Sequence, residues 1–595
     1  MSLYSERKLH LKRLYYTGIV CILLCALTLT DSRALFGPYL LAAVYALYCL
    51  RCNHANGAGI SSRSCWIINA AAFIAAVFIT LANYGIWQHP VSSEIRTAAF
   101  VRFCQFTYII IIMAGTFFSV WNILYYVSFN RRGSSADKAL AGYRYFLVPF
   151  CVILCVYTTV WIGCYFPALM SLDSIDQVRQ IFTGVYSNHQ PYYHTQLLGI
   201  FIRPAPALSG INTGVAVYAF FQILVMAATF AFVILTMSQL GFTRRICIIS
   251  TIWYAVMPFH IMYSFTVWKD VLFGASVTLM IVFFVRLMND IGHSPVNYTG
   301  FAVSSLVMCI LRSNGLFAYI IVFAACVMLI RRNTKLIVIM LVTIVLGFVL
   351  KHPVLDSLNV TPPDTVESLS IPLQQIARVV FEGGNMTAED MQFLSEIMDV
   401  TAIADNYDPD ISDPIKNMIR DYGNHEYLSA HMGDFLRMYV HTIVRNPMTA
   451  VTAWVDSTCG YWNSGYDYWV WYWDIEQNEF GISRHVASEK MLHFMDEYLW
   501  LFYNNRVLQL FTCIGMHVWF VLVIFAGYIA HNNRTGIIAC MPILAILLSL
   551  LISAPVYSEF RYMYAMFCAL PVLGGITDKK RAIAAKEAAN EDNMQ

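Results

Sequence analysis

The amino-acid sequence predicts an all-α polytopic membrane protein, a bundle of about fourteen transmembrane helices with an extracytoplasmic, mostly helical domain. Three observations predict it. Of 595 residues, 58% are hydrophobic and only 12% are charged, against about 25% charged in soluble globular chains. The apolar residues fall in runs of about 15–25, each long enough for a hydrocarbon core of about 30 Å. The charge is also segregated. Residues 351–505 hold 23 of the 36 acidic residues but only 8 Lys or Arg, so this block stands near −15 and the remainder near +17. These values exclude disorder and an ordinary soluble enzyme. The cysteines lie mostly inside apolar runs and the acidic block has only Cys459, which excludes a disulfide framework there. Basic residues sit at span ends rather than on a patch, so no nucleic-acid partner is expected.

The candidate spans, in order, are 14–30, 35–50, 65–86, 106–127, 146–170, 213–237, 246–264, 271–288, 299–311, 315–330, 336–350, 507–530, 536–553 and 562–576. Arg7, Lys8, Lys12 and Arg13 precede the first, and no small-residue cleavage pattern follows it, so it reads as an uncleaved anchor. Lys and Arg accumulate on the cytoplasmic side of membrane proteins. With the N-terminus inside, the inner loops carry Arg51 and Arg63, then Arg131, Arg132 and Lys138, then Arg244 and Arg245, Arg286, Arg331, Arg332 and Lys335, Arg534, and the tail Lys579, Lys580 and Arg581. Both termini are then cytoplasmic. The same alternation puts outside the loop 171–212, the corner at Trp268-Lys-Asp270, the turn Arg312-Ser-Asn-Gly315, the block 351–505 and the corner Glu559-Phe-Arg561-Tyr562. Four units follow: a four-span extension 1–145, a seven-span module 146–350, the acidic domain 351–505, and a three-span segment with a tail, 506–595. Cys49 and Cys52 form a lone CxxC, read as inert thiols at a span end.

Within 172–186, Leu172, Ile175, Val178, Phe182 and Val185 recur at three to four residues. This predicts an amphipathic helix lying in the interface plane. Asp173, Asp176, Gln177 and Gln180 form its other face, and the two carboxylates are three residues apart. His189 and His194 flank Pro191 just beyond.

Lipid phosphates lie at the depth of these outer corners. Asp173, Lys269, Arg312 and Arg561 come to that depth from four distant segments, a carboxylate base facing three cations that clamp a phosphate. The bland alternative is a helix cap and cations snorkelling to headgroups. Substrate contacts are expected from Asp176, His189, His194, Asp270, Asn314, Gln375, Arg378 and Tyr562. Gln374, Tyr461 and Trp462 are further candidates for a sugar groove. No cofactor is called for. A divalent metal between the histidines and Asp173 or Asp176 stays open, although the spacing matches no zinc motif. The acidic run Asp405, Asp408, Asp410 and Asp413 lacks the glycine and terminal Glu of a calcium loop and reads as solvated. No P-loop, GxSxG or GxGxxG occurs.

A span ending in an external Asp, an amphipathic helix and a His/Pro element resembles the first external loop of the GT-C glycosyltransferase superfamily. The match is carried by Ser171-Leu-Asp173-Ser-Ile-Asp-Gln177, with Glu559-Phe-Arg561-Tyr562 similar to a late Arg-Tyr element of such enzymes. The segments Val267-Trp-Lys-Asp270, Leu311-Arg-Ser-Asn-Gly315 and Ile371-Pro-Leu-Gln-Gln-Ile-Ala-Arg378 look similar to an uncharacterised branch of Gram-positive membrane proteins. The resemblance covers about 146–350 and the last corner. It departs from the superfamily in the four spans that precede the module, where Asp173-Ser174 replaces an Asp-Glu pair, and where Gln190-Pro191 stands in place of a Pro-Pro element. It implies a GT-C-like bundle, a catalytic Asp173 and a polyprenyl-phosphate-linked sugar donor.

A polyprenyl phosphate needs charge neutralisation rather than protonation to leave, and a single carboxylate base suffices to activate an acceptor hydroxyl. The expected activity is therefore inverting transfer of a sugar to a cell-envelope glycan or lipid-linked acceptor on the outer face of the cell membrane. A retaining scheme would need two carboxyls about 5 Å apart, a demand Asp173 and Asp176 could meet on one helix face. A polymerase or ligase of lipid-linked glycans is a second reading, disfavoured by the acidity of 351–505. A lipid or solute transporter is a third, disfavoured because its polar groups would lie near mid-membrane, usually within repeats.

Overall fold

The computed structural model describes residues 142–331, 333–463, 468–530 and 532–576. The first four expected spans, the Cys49/Cys52 pair and the tail lysines lie outside the described residues. The described chain is mostly helical, and its extended pairings are isolated bridges such as Met170 with Ile475. Among the described residues, seven helices are long and apolar enough to cross a membrane: Arg144–Cys164, Ile211–Gln239, Lys269–Met288, Ser294–Leu311, Ser313–Ile330, Thr334–Ser357 and Arg534–Ser553. Large apolar side chains such as Val338, Leu341, Val342, Val345 and Phe348 are exposed along the Thr334–Ser357 helix. Apolar surface of that extent points to membrane association.

Ten spans were expected over this stretch, and three take another form. The span 246–264 is two helices, Arg244–Val256 and Pro258–Ser264, bent by 56°. Pro258 explains the break, since it lacks an N–H and disfavours helical backbone at Met257. The span 507–530 is interrupted at Cys513, whose backbone is extended, between Arg506–Thr512 and Ile514–Ala530. The last span contracts to Phe560–Leu573, 14 residues, or about 21 Å of helix. Several spans start where expected because a polar residue caps them: Thr243, Asn333 and Asn533 each accept a backbone N–H of the first turn. Arg286, expected among the loop charges, is instead buried and donates to Asn297, Thr236 and Gln239.

Lys269–Met288 is the most deeply buried of the long helices. Its N-terminus meets three other corners at one end of the bundle. The Arg312 corner joins Ser294–Leu311 to Ser313–Ile330. It turns within one residue because Gly315 passes so close to Met308 that a Cβ would lie 2.2 Å from the Met308 carbonyl oxygen. The helix Phe560–Leu573 begins there, and the helix Leu172–Thr183 lies across the end, closed by Gly184 at φ +72°.

The acidic block divides between two cores. Val366, Leu373, Ile376, Leu394, Ile397, Ile419, Phe435 and Met438 belong to a separate apolar cluster. Tyr461, Trp462, Val470, Trp471, Ile482 and Leu499 join the main one.

Candidate functional site

The Leu172–Thr183 helix forms, but its buried face differs from the expected one. Ile175, Val178 and Ile181 are buried, and so are Ser174, Gln177 and Gln180, while Leu172 and Val185 are exposed. Hydrogen bonds make the polar burial tolerable. Ser174 Oγ donates to the Val267 carbonyl at 2.6 Å, and Gln177 reaches His194 and Thr195, each at 3.0 Å. Trp268 Nε1 donates to Ser171 Oγ at 2.8 Å. The helix is thus fastened to the corner that carries Lys269, and this positions Asp173.

Asp173 Oδ2 accepts from Arg561 Nη1 at 2.8 Å. Burial would raise the Asp173 pKa, but Arg561, Lys269 and His189 together outweigh it and hold the carboxyl below its ordinary value. Lys269 donates to Gln190 Oε1 at 2.6 Å. Arg312 pairs with Asp270, in the first turn of the central helix. Tyr562 lies under both guanidiniums, its ring centroid 4.5 Å from Arg312 and 5.3 Å from Arg561. Asp173, Lys269, Asp270, Arg312, Arg561 and Tyr562 therefore form one cluster.

Glu559 completes it, and no site role was expected of it. It is 2% exposed, and its Oε1 lies 3.4 Å from Arg561 Nε. Burial, only partly countered by Arg561 and reinforced by Asp270 and Asp173, pushes its carboxyl up to about 7. One signal for it was present: Glu559 is the only acid between 506 and 576. Arg561 is covered by Asp173 and Arg312 by Asp270, whereas the hydrogen bond of Lys269 among the described residues goes to the neutral amide of Gln190. With Glu559 part-protonated near neutrality, the cations outnumber the ionised carboxylates. Arg561 Nε is buried with no hydrogen-bond partner among the described residues, a donor left for an anion, while Asp270 Oδ2 and Glu559 Oε1, also without a partner, are acceptors.

The other expected contacts are engaged elsewhere. Asp176 accepts from Gln180 at 2.8 Å and lies 3.6 Å from Arg179, so the two carboxylates of this helix serve different partners. His194 is fully buried between Gln177 and Tyr218. Burial, and then Lys269, push its pKa down to about 3, so its ring is neutral. His189 stays exposed on the rim, 3.9 Å from Glu367. Asn314 donates to Ser549 at 2.9 Å. Gln375 donates to the Ala450 carbonyl and accepts from Tyr439, and Arg378 pairs with Glu382 and Asp456. Gln374 donates to the Asp408 carbonyl. Tyr461 and Trp462 are core residues, 0% and 3% exposed, with no ring face to offer a sugar. Among the described residues, no group of three or more His, Cys, Asp or Glu is placed to hold a metal ion.

Fold and cluster together define a helical, membrane-associated protein with a cationic site at the ends of its helices. Residues 182–589 match the model of a family of unknown function, DUF6020, and the chain belongs to that family. The match includes Lys269, Asp270, Arg312, Glu559 and Arg561 and begins after Asp173. No curated protein and no solved structure matches the chain.

Proposed function

We propose that this protein is an inverting glycosyltransferase of the GT-C type, working on the outer face of the cell membrane. It takes a sugar from a polyprenyl-phosphate lipid and transfers it to a cell-envelope glycan or lipid-linked acceptor. The supporting observation is the contact between Asp173 and Arg561 within a cluster that also holds Lys269 and Arg312. A carboxylate that stays ionised can accept a proton. A guanidinium has five N–H donors, so Arg561 can hold Asp173 with one and a phosphate oxygen with others.

In the reaction, Asp173 takes the proton of the acceptor hydroxyl as its oxygen attacks the anomeric carbon. The bond from that carbon to the phosphate oxygen breaks, and polyprenyl phosphate leaves with its new negative charge on Lys269, Arg312 and Arg561. Charge stabilisation of this kind often supplies the largest share of a rate enhancement. Inversion is favoured over a double displacement because Asp176 is held by Gln180 and Arg179 instead of facing the cations.

The test is consumption of a labelled polyprenyl-phosphate sugar by proteoliposomes of the wild-type chain with a cell-envelope acceptor fraction. Transfer with inverted anomeric configuration supports the reading. A protein that consumes none of the common hexosyl or pentosyl lipid phosphates ends it.

A further inference from the structure

Arg561 has aromatic neighbours that the phosphate clamp does not use. Its guanidinium carbon lies 5.5 Å from the Trp268 ring centroid and 5.9 Å from that of Trp469. Trp268, Trp469 and Tyr472 form a continuous wall, with centroids 5.7 Å apart for the two tryptophans, 6.1 Å for Trp268 with Tyr472 and 6.2 Å for Trp469 with Tyr472. Trp268 is buried, whereas Trp469 and Tyr472 are only partly buried.

The wall is fixed relative to Asp173. Glu476 N–H donates to the Met170 carbonyl at 2.9 Å, and Met170 N–H donates to the Asp474 carbonyl at 3.3 Å. These bonds pin the segment carrying Trp469 and Tyr472 to the chain three residues before the carboxylate. The bond from Trp268 to Ser171 adds a second tie on the same side. Among the described residues, Trp469 makes ring or cation contacts with Trp268, Tyr468, Tyr472 and Arg561.

We propose that Trp469 and Tyr472 are the stacking surface for the sugar ring of the donor lipid. The inference rests on the donor reading above. The donor sugar is bonded directly to a phosphate oxygen, so a phosphate seated on Arg561 brings the sugar beside the rings that flank Arg561. The C–H face of a sugar is apolar and matches an aromatic face, while its hydroxyls stay free for the few polar groups that fix orientation. The rings thus serve two ends, holding the Arg561 guanidinium from one side and offering apolar surface to the sugar.

The experiment measures binding by the full chain in nanodiscs. The probes are bare polyprenyl phosphate and the same lipid carrying glucose, mannose, galactose or arabinose. Wild-type protein should bind at least one sugar-bearing lipid more tightly than the bare lipid. Trp469→Leu should reduce that preference by about tenfold, a loss of the size expected for one stacked ring, with bare-lipid affinity unchanged. Trp469→Phe should keep part of the preference, which separates a lost ring face from a misfolded chain, and Tyr472→Leu should lose part of it. Equal weakening of both lipid forms by Trp469→Leu, or no effect, would overturn the proposal. Wild-type protein that binds bare and sugar-bearing lipids alike would overturn the wall and leave the phosphate clamp standing. A chain that binds no polyprenyl phosphate at all would overturn both.

Discussion

Arg561 donates to Asp173 across 2.8 Å, joining residues 388 positions apart in the chain. Arg561 is largely out of water and needs an anionic partner, and the partly exposed Asp173 supplies one. The pair also ties the Leu172–Thr183 helix to the last apolar helix, Phe560–Leu573. Any ligand that competes for Arg561 changes the proton affinity of Asp173, which couples phosphate binding to base strength.

The clamp prediction concerns charge geometry. Arg561→Lys keeps the charge but replaces a planar fork, able to hold Asp173 and a phosphate together, with a point charge. It should weaken binding of bare polyprenyl phosphate by about tenfold or more. Lys269→Gln should weaken it comparably, because Lys269 is the cation without a carboxylate contact among the described residues. Lipid-binding measurements in nanodiscs check both. Unchanged affinity in both variants would mean that phosphate is held elsewhere.

Glu559 gives a pH prediction. Its folded-state pKa is raised from 4.5 to about 7. The folded chain therefore holds this proton through a range in which the unfolded chain has lost it. By linkage, stability falls as pH rises from about 4.5 to about 7 and is flat with respect to this group above that. Glu559→Gln should remove this part of the decline. Thermal melting of wild type and variant at pH 5 and pH 8 measures it, and an identical pH dependence would count against a protonated Glu559. Asp173 has the opposite sign. Its lowered pKa contributes stability above about 3.8 that is lost as pH falls through the lower folded value.

Gly315 tests the corner that delivers Arg312. A Cβ there would meet the Met308 carbonyl oxygen at 2.2 Å, a backbone atom that cannot swing aside. Gly315→Ala should destabilise by about 1–3 kcal/mol, the usual size of an overpacking cost, and should impair lipid binding through displacement of Arg312. A melting curve and a binding curve on the same sample check it. A neutral result in both would show that the corner is plastic.

Long stretches of the fold are legible in the sequence because hydropathy is a local property. The apolar runs mark the seven long helices of the described residues, whereas the break at Pro258 falls inside what reads as one span, 246–264, and the stop at Gly184 inside the helix expected over 172–186. The meeting of the corners bearing Asp173, Lys269, Arg312 and Arg561 is what an alternation of spans leads one to expect. Pairing is a different matter. That Gln177 turns inward to His194 and that Trp462 is buried while Trp469 is only partly so are decided by packing that a hydropathy pattern does not record. Period and composition carry no trace of those contacts. Glu559 was visible as a solitary acid, but its high pKa follows from burial, which the sequence does not state.

The most direct test of the central claim is the transfer rate of Asp173→Asn beside wild type, in reconstituted membranes with a labelled lipid-phosphate sugar. Asparagine keeps the size of the side chain and cannot accept a proton, so the rate should fall by about 10²–10⁴, the usual contribution of a positioned base, while bare polyprenyl phosphate still binds. A near-wild-type rate would contradict the account.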